Sequence, residues 1–319
     1  MRSDTKVYYE IPKEVTEGLV TLGYEPLMPE HQSLFDPYYD EMNDHWSSST
    51  CFLNMIAWRD SYPTYFKKTD GLLMLIAYLR QEGHPVAVPF LGKYTEEKIQ
   101  GALQILKKDF EQLGYPLIIM DIVPWMYSYY KSGNIKFDVE DSRDYMDYIF
   151  TPEELWAGMD TQDDRYRYRY FKRKFEYETE EITSSHREEI QEFMDNNWCK
   201  DKSCEECYYG CLYRTIDNLI SAFDQMRING IIVRVDGKMA GLCIVSCRNG
   251  LGVYQFKNAI NRIKGINEYM LRECYERYLQ QARIINYTED MGEENLRRYK
   301  EHMAPSYSLL SKYTLTERG

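Results

Sequence analysis

Apolar residues in the first half of the chain gather into short unbroken runs. Residues 72–78 follow the turn pair Asp70-Gly71, and residues 86–90 end just before Gly92; runs of this length bounded by turn residues predict buried strands. From Thr95 the spacing changes. Ile99, Leu103, Leu106, Phe110 and Leu113 recur three and four apart and stop at Gly114, which predicts a capped amphipathic helix. Residues 116–122, PLIIMDI, return to an apolar run and predict a further strand. Strands alternating with a helix in this way build an α/β layer.

The second half predicts helices over 187–197 and 212–225, then strands over 230–235 and 239–247 joined by Asp236-Gly237. Asn249-Gly250 leads into a third strand over 252–256. Such dipeptides are hairpin signals because both central residues of a tight turn need positive φ. A helix over 266–281, a strand over 284–287, a helix over 293–302 and a last strand over 309–315 complete the order. Between the halves, the acidic DTQDD gives way to RYRYRYFKR, and this change of composition sets the expected boundary: an N-terminal domain over 1–160 and a C-terminal domain over 161–319. The expected fold class is α+β with α/β layering, mixed sheets flanked by helices.

Composition narrows the function. At 319 residues the chain is long enough for two domains, and no run approaches the roughly 18 apolar residues of a membrane span. MRSDTKVYYEIPKE at the start has no apolar stretch behind its positive residue, so a soluble, cytoplasmic protein is expected. A net charge of -12 repels polyanions and argues against DNA as a general partner. Eight cysteines in a chain of this size read as reduced thiols, and the 30 tyrosines as packing residues that bury a ring and keep a hydroxyl wet.

Arg262-Ile-Lys-Gly265-Ile-Asn267 stands where the third strand enters its helix. It partly matches [QR]-x-x-G-x-[GA], and the order of elements around it resembles the GNAT-type N-acyltransferase fold. The chemistry behind that pattern is a row of backbone N–H groups at a helix N-terminus, able to hold a pyrophosphate; an ordinary helix start with Gly265 as a turn residue is the other reading. A longer pattern is more specific. INYTEDMGEENLRRYKEHMAP, residues 285–305, resembles the end of a bacterial family related to the C-terminal domain of phosphatidylglycerol lysyltransferase. LNMIAWRDSYPTYF with the following DGLL resembles that family's opening, and VRVDGKMAG its central hairpin. In the strand before the helix, where relatives carry a His-x-Glu-Lys type stretch, this chain reads VYQFKNA, with Lys257 and Asn258 in place of the Glu and Lys.

The resemblance implies a duplicated GNAT-like fold and a transferase. It would move an aminoacyl or acyl group from aminoacyl-tRNA or acyl-CoA to an amine or hydroxyl on a small molecule or lipid head group. A non-catalytic ligand-binding or regulatory module on the same fold is the alternative. No further cofactor is implied, and Arg262, Gly265 and Asn267 would face the donor. Glu289 and Asp290, directly after a strand, are the acid/base candidates, with capping of the next helix as the competing role. Asn286, Arg297 and Lys300 of the same segment are assigned to substrate.

The basic stretch alternates Arg165, Arg167 and Arg169 with Tyr166, Tyr168 and Tyr170, and continues through Lys172 and Arg173. In an extended chain that period of two puts cations on one face and rings on the other. Arg169, Lys172 and Arg173 would then meet tRNA phosphates, or pair with the acids on either side. Cys199, Cys204, Cys207 and Cys211 fall within thirteen residues, a spacing that admits a single tight metal knuckle or buried thiols; no metal is assigned. The five histidines show no paired spacing, which argues against hydrolase chemistry.

Overall fold

Leu72–Leu79 is buried along nearly its whole length and His84–Gly92 almost as completely, so both faces of the sheet they form must be covered. A computed structural model describes residues 11–42, 47–200, 211–226 and 228–318, and the chain divides into two compact units. The first takes the chain up to Arg143, residues 211–215, and everything from Ser311 on.

Its elements are α1 (Lys13–Thr21), β1 (Glu25–Pro26), α2 (Gln32–Asp40), α3 (Phe52–Ala57), β2 (Thr64–Thr69), β3 (Leu72–Leu79), β4 (His84–Gly92), α4 (Glu96–Leu113), β5 (Ile118–Ile122), α5 (Pro124–Lys131) and β6 (Phe137–Asp141). The helix expected over 95–114 forms as α4. The Thr95 hydroxyl accepts the Lys98 N–H at 3.3 Å, Gly114 closes the other end at φ 77°, and Ile99, Leu103, Leu106 and Phe110 face the core. The seven-stranded sheet runs β1-β2-β3-β4-β5, then the C-terminal strand Tyr313–Glu317, then β6. All neighbours are antiparallel except β4 and β5, which register at Ala87 and Ile119.

Past that contact Tyr130 of α5 packs fully buried beside β4. Its hydroxyl accepts the Phe90 N–H at 3.1 Å and lies 3.2 Å from the Tyr94 hydroxyl, and its ring stacks on Phe90 at 5.6 Å.

The second unit holds Asp144–Lys202 and Ile216–Leu310. Along the chain come β7 (Asp147–Phe150), α6 (Pro152–Met159), α7 (Gln162–Lys174), β8 (Tyr177–Glu181), α8 (Arg187–Asn197), α9 (Leu212–Ser221, of which residues 212–215 fall in the first unit), β9 (Asn229–Val235), β10 (Lys238–Arg248), β11 (Leu251–Ala259), α10 (Ile266–Cys274), β12 (Ile284–Asn286), α11 (Glu294–Glu301) and β13 (Ser308–Leu310). Both expected hairpin turns form, with Asp236, Gly237, Asn249 and Gly250 all at positive φ. This sheet is also seven-stranded, in the order β13-β7-β12-β11-β10-β9-β8, and again one neighbour pair, β11 and β12, is parallel. Its far edge, β8, carries exposed glutamates that discourage pairing with another chain.

The two compact units divide between Arg143 and Asp144, and β7 and α6 bury Tyr148, Phe150 and Leu155 in the second core. Two expectations are corrected. The strand expected over 309–315 is two strands: β13 pairs with β7, whereas Tyr313–Glu317 belongs to the first sheet. The chain thus returns to the first sheet for its last strand. The basic stretch is not extended but helical, as α7. Thr161 caps it by accepting the Asp164 N–H at 3.2 Å, Asp163 and Asp164 lie in its first turn, and Lys172, Arg173 and Lys174 in its last. Both charge groups oppose the helix dipole, and Phe171 anchors the helix by packing on Tyr269 at 4.8 Å.

Candidate functional site

The segment 285–305 folds as strand, loop and helix, and its polar side chains turn inward. Thr288, Met291 and Gly292 all have positive φ, so the loop reverses sharply and needs fixed partners. Asp290 supplies them. Fully buried, its carboxylate accepts from the Tyr148 hydroxyl at 2.7 Å, the Gly292 N–H at 3.0 Å, and Arg297 through Nε at 3.0 Å and Nη2 at 2.9 Å. Arg297 also donates to Asp144 at 2.5 Å. The hydrogen bonds from Arg297 to Asp290 and Asp144 raise its guanidinium pKa further above its usual value.

One turn on, Lys300 is buried and donates to the Tyr287 carbonyl at 2.7 Å, the Glu289 carbonyl at 2.6 Å and the Thr288 hydroxyl at 3.1 Å. Asn286 donates to Asp147 at 2.8 Å and accepts the Thr288 N–H at 2.7 Å. Glu289 is half-buried beside them. The N-cap of α11 is Glu293, so neither Glu289 nor Asp290 takes the capping position. What this network does is hold α11 in one orientation. Lys300→Met, which keeps the length and removes the donors, is expected to cost roughly 3 kcal/mol by leaving buried carbonyls unmatched; chemical denaturation of the variant checks it.

With Arg297 and Lys300 turned into the loop, α11 presents Tyr299 to a cleft of about 330 Å³, where His302 and Met303 also lie. The other walls are α6, α7 and α10, through Asp163, Arg167 and Tyr168 on α7 and Asn267, Glu268 and Arg272 on α10. Packing builds these walls from the backbone outward. A side chain at Gly158 would meet the Met303 carbonyl at 1.7 Å, and one at Gly265 the Arg167 carbonyl at 2.2 Å. Both glycines are therefore required by close approach, and Gly265 also by its φ of 89° at the α10 N-cap.

The cleft's arginines are already matched. Arg167 pairs with Asp163 at 2.8 Å and Glu268 at 3.2 Å. Arg272 lies between the rings of Trp156 and Tyr168, 4.7 Å from each, and donates to the Met159 carbonyl at 2.8 Å. At the edge, Lys257 of β11 donates to the Tyr299 hydroxyl at 2.5 Å, with its ammonium 4.8 Å from the ring centre. Burial alone would lower the Lys257 pKa, but the Tyr299 oxygen and, more distantly, Glu268 leave it raised.

The structure separates the residues read from sequence. Of Arg262, Gly265 and Asn267, Asn267 lines the cleft, Gly265 is buried against α7, and Arg262 is exposed. Arg169, Lys172 and Arg173 are exposed on α7, whose cleft-facing positions are 163, 164, 167 and 168. Asn286, Asp290, Arg297 and Lys300 form the loop network. Cys199 is buried and Cys211 half-buried, while Cys204 and Cys207 lie outside the described residues. Sequence reasoning missed Glu268, Arg272 and Tyr299 as cleft residues. The helical phase of the signature carried the signal for Tyr299: with 297 and 300 turned inward, 299 falls on a neighbouring face.

The family model described as phosphatidylglycerol lysyltransferase, C-terminal, matches residues 41–316. The chain belongs to this family. Solved structures share its fold. A conserved protein of unknown function from Bacteroides thetaiotaomicron VPI-5482 superposes with a TM-score of 0.81 at 20% identity, covering 92% of this chain and 99% of that one. L-PGS from Bacillus licheniformis gives 0.61 at 13% identity, over 89% and 91%. FemX gives 0.62 at 10%, over 91% and 96%. At these identities the likeness is one of fold, and the two mixed sheets flanked by helices are the duplicated GNAT-like arrangement expected from the sequence. No curated protein matches the chain. Family and fold are those of an acyltransferase-like lysyltransferase C-terminal domain. Among the described residues no helix is long and apolar enough to cross a membrane.

Proposed function

We propose that this member of the phosphatidylglycerol lysyltransferase C-terminal family transfers an acyl group to an amine or hydroxyl acceptor, and that the reacting ends meet in the cleft of the second unit. One observation carries this reading. The parallel strands β11 and β12 register over three residue pairs, from Leu251 and Ile284 to Val253 and Asn286, and β11 then runs on to Ala259. Lys257, on that continuing stretch, contacts the cleft residue Tyr299. The site therefore joins the end of this parallel pairing to a walled cleft with polar groups at the junction, the kind of concave setting in which a donor carbonyl and an acceptor can be oriented together.

Between the two donors, aminoacyl-tRNA is favoured over acyl-CoA. The entry to α10, where a pyrophosphate would bind, is packed against the α7 backbone at Gly265, and Asn267 stands where the motif has a small residue. Asp163 and Glu268 share the single charge of Arg167, and with Asp164 they leave the cleft lining an excess of negative charge that suits the protonated amine of an aminoacyl group. The acceptor class is a small amine or a lipid head group, the latter by analogy with the family's name.

A second reading, a ligand-binding module without chemistry, is favoured by Asp290. Its carboxylate is committed to the loop network, so the signature segment gives no buried acid to the cleft. Purified protein incubated with charged tRNAs or acyl-CoAs and a panel of amines and lipid vesicles, followed by mass spectrometry of the acceptors, separates the two. The transferase reading expects an acyl mass on an acceptor; donor binding without any transferred mass would leave the binding module.

A further inference from the structure

We infer that His302 is the catalytic base of the cleft, taking through Nε2 the proton that the acceptor loses; this rests on the transferase reading above. Placement comes first. His302 closes the C-terminal end of α11 and lines the cleft while staying open to solvent. Its neighbours in the chain are fixed. Two positions back Lys300 is bound into the loop network, and one position on the Met303 carbonyl stands where a side chain at Gly158 would have to go. The ring is therefore presented from a mount that cannot easily turn.

The second observation is which ring nitrogen is left for a ligand. Nδ1 of His302 lies 2.6 Å from the Arg298 carbonyl oxygen. A carbonyl only accepts, so Nδ1 carries the hydrogen, and the neutral ring keeps its lone pair on Nε2, on the side away from the helix backbone. Two other histidines are set the opposite way. His31 and His186 accept the Met28 and Thr183 backbone N–H at Nδ1, at 3.1 and 3.0 Å, so their neutral rings carry the hydrogen on Nε2. Of these three rings, His302 alone offers a base at its outer nitrogen.

The third observation is that the other ionisable groups of the cleft already hold partners. On α7, Asp163 pairs with Arg167 at 2.8 Å, Asp164 accepts the Thr161 hydroxyl, and Tyr168 accepts from Lys172. On α10, Glu268 pairs with Arg167 and Arg272 with Asp160, each at 3.2 Å. On α11, the Tyr299 hydroxyl is shared between Lys257 and the Tyr287 hydroxyl. The lining residues of α6, Gly158 and Met159, do not titrate. A carboxylate held by a guanidinium is a weak base, whereas an imidazole changes charge nearest to neutral pH.

The step balances without an oxidant or reductant. The acceptor nitrogen or oxygen bonds to the acyl carbon as its proton passes to Nε2 of His302. The bond from that carbon to the donor's leaving oxygen breaks, and the imidazolium gives its proton to that oxygen. His302 returns to its starting form.

The test uses the full chain with His302→Gln and His302→Ala. Because His302 is exposed, both variants should keep the wild-type denaturation midpoint. On the charged tRNA or acyl-CoA and the acceptor with which the wild type shows transfer, His302→Gln is expected to lower kcat about 100-fold or more, with KM changed less than about threefold. The acidic limb of the wild-type pH profile should disappear with it, and added imidazole should raise the rate of His302→Ala about tenfold or more. Transfer by the wild type with kcat of His302→Gln within about threefold would overturn the inference and leave the transferase reading standing. Lost rate with the acidic limb retained and no response to imidazole would reduce His302 to a structural role and overturn it as well. A wild type that transfers nothing ends the transferase reading, and the inference with it. Nitrogen-15 NMR of histidine-labelled protein, with His302→Gln to assign the signal, checks the geometry without turnover: the neutral ring is expected to carry hydrogen on Nδ1, and hydrogen on Nε2 would overturn the assignment.

Discussion

Asp290→Ala is expected to destabilise the protein by roughly 3–5 kcal/mol, the range for breaking a buried ion pair from one side. The carboxylate is wholly enclosed and serves Tyr148, Gly292 and both donor nitrogens of Arg297, so its removal leaves a buried hydroxyl and a guanidinium without that acceptor. The same variant separates two roles. An acid acting only in chemistry could become Asp290→Asn with loss of activity and an unchanged melting curve. An acid closing a loop cannot, because the amide loses the charge that Arg297 meets and presents N–H where Tyr148 or Arg297 also presents a donor. Denaturation of Asp290→Asn should therefore shift to lower denaturant. Unaltered stability with lost turnover would return Asp290 to the reacting centre.

Removing residues 311–319 is expected to have the larger effect on the first unit. Tyr313–Glu317 lies between β5 and β6, pairing with Ile118, Ile119 and Ile122 on one side and with residues from Phe137 to Asp141 on the other. Leu315 is fully buried, and Lys107 of α4 pairs with Glu317. Without the strand, β6 has no neighbour in its sheet and β5 becomes an open edge. Amide exchange should rise throughout β5 and β6 to near the rate of unfolded chain, while β9 and β10 remain protected. The milder Leu315→Ala should cost about 2–5 kcal/mol. Protection of β5 unchanged by the deletion would mean that the strand is dispensable.

Local features of this fold were legible and distant ones were not. The hairpin at Asp236-Gly237 and the helix α4 were readable because their signals, positive-φ turn residues and a capped 3.6-residue period, act within a few residues. The alternation of arginine and tyrosine in 165–170 misled for the same reason: period two is a local strand signal, and what overrides it is the capping by Thr161 and the burial of Phe171 against Tyr269, a residue far along the chain. The pairing of β13 with β7, and of Tyr313–Glu317 with β5 and β6, leaves no mark in a one-dimensional pattern, since a strand's own residues do not name its neighbours.

The candidate site divides in the same way. Asp290, Arg297 and Lys300 stood out as a motif, but their partners did not: Tyr148 is 142 residues from Asp290 and Asp144 is 153 from Arg297. With those partners known, the signature reads as the mount of α11, and Tyr299, between its two inward cations, as what the mount presents.

The central claim is that ligand chemistry belongs to the cleft of the second unit and not to the first unit beside β4, where Tyr130 is fully buried against Phe90. Hydrogen–deuterium exchange of the full chain with and without an amide-linked aminoacyl-adenosine, a stable mimic of the donor's reacting end, tests it most directly. Slowed exchange in α7, α10 and α11, with β4 and α5 unchanged, is the predicted result; protection confined to β4, β5 and α5 would contradict it.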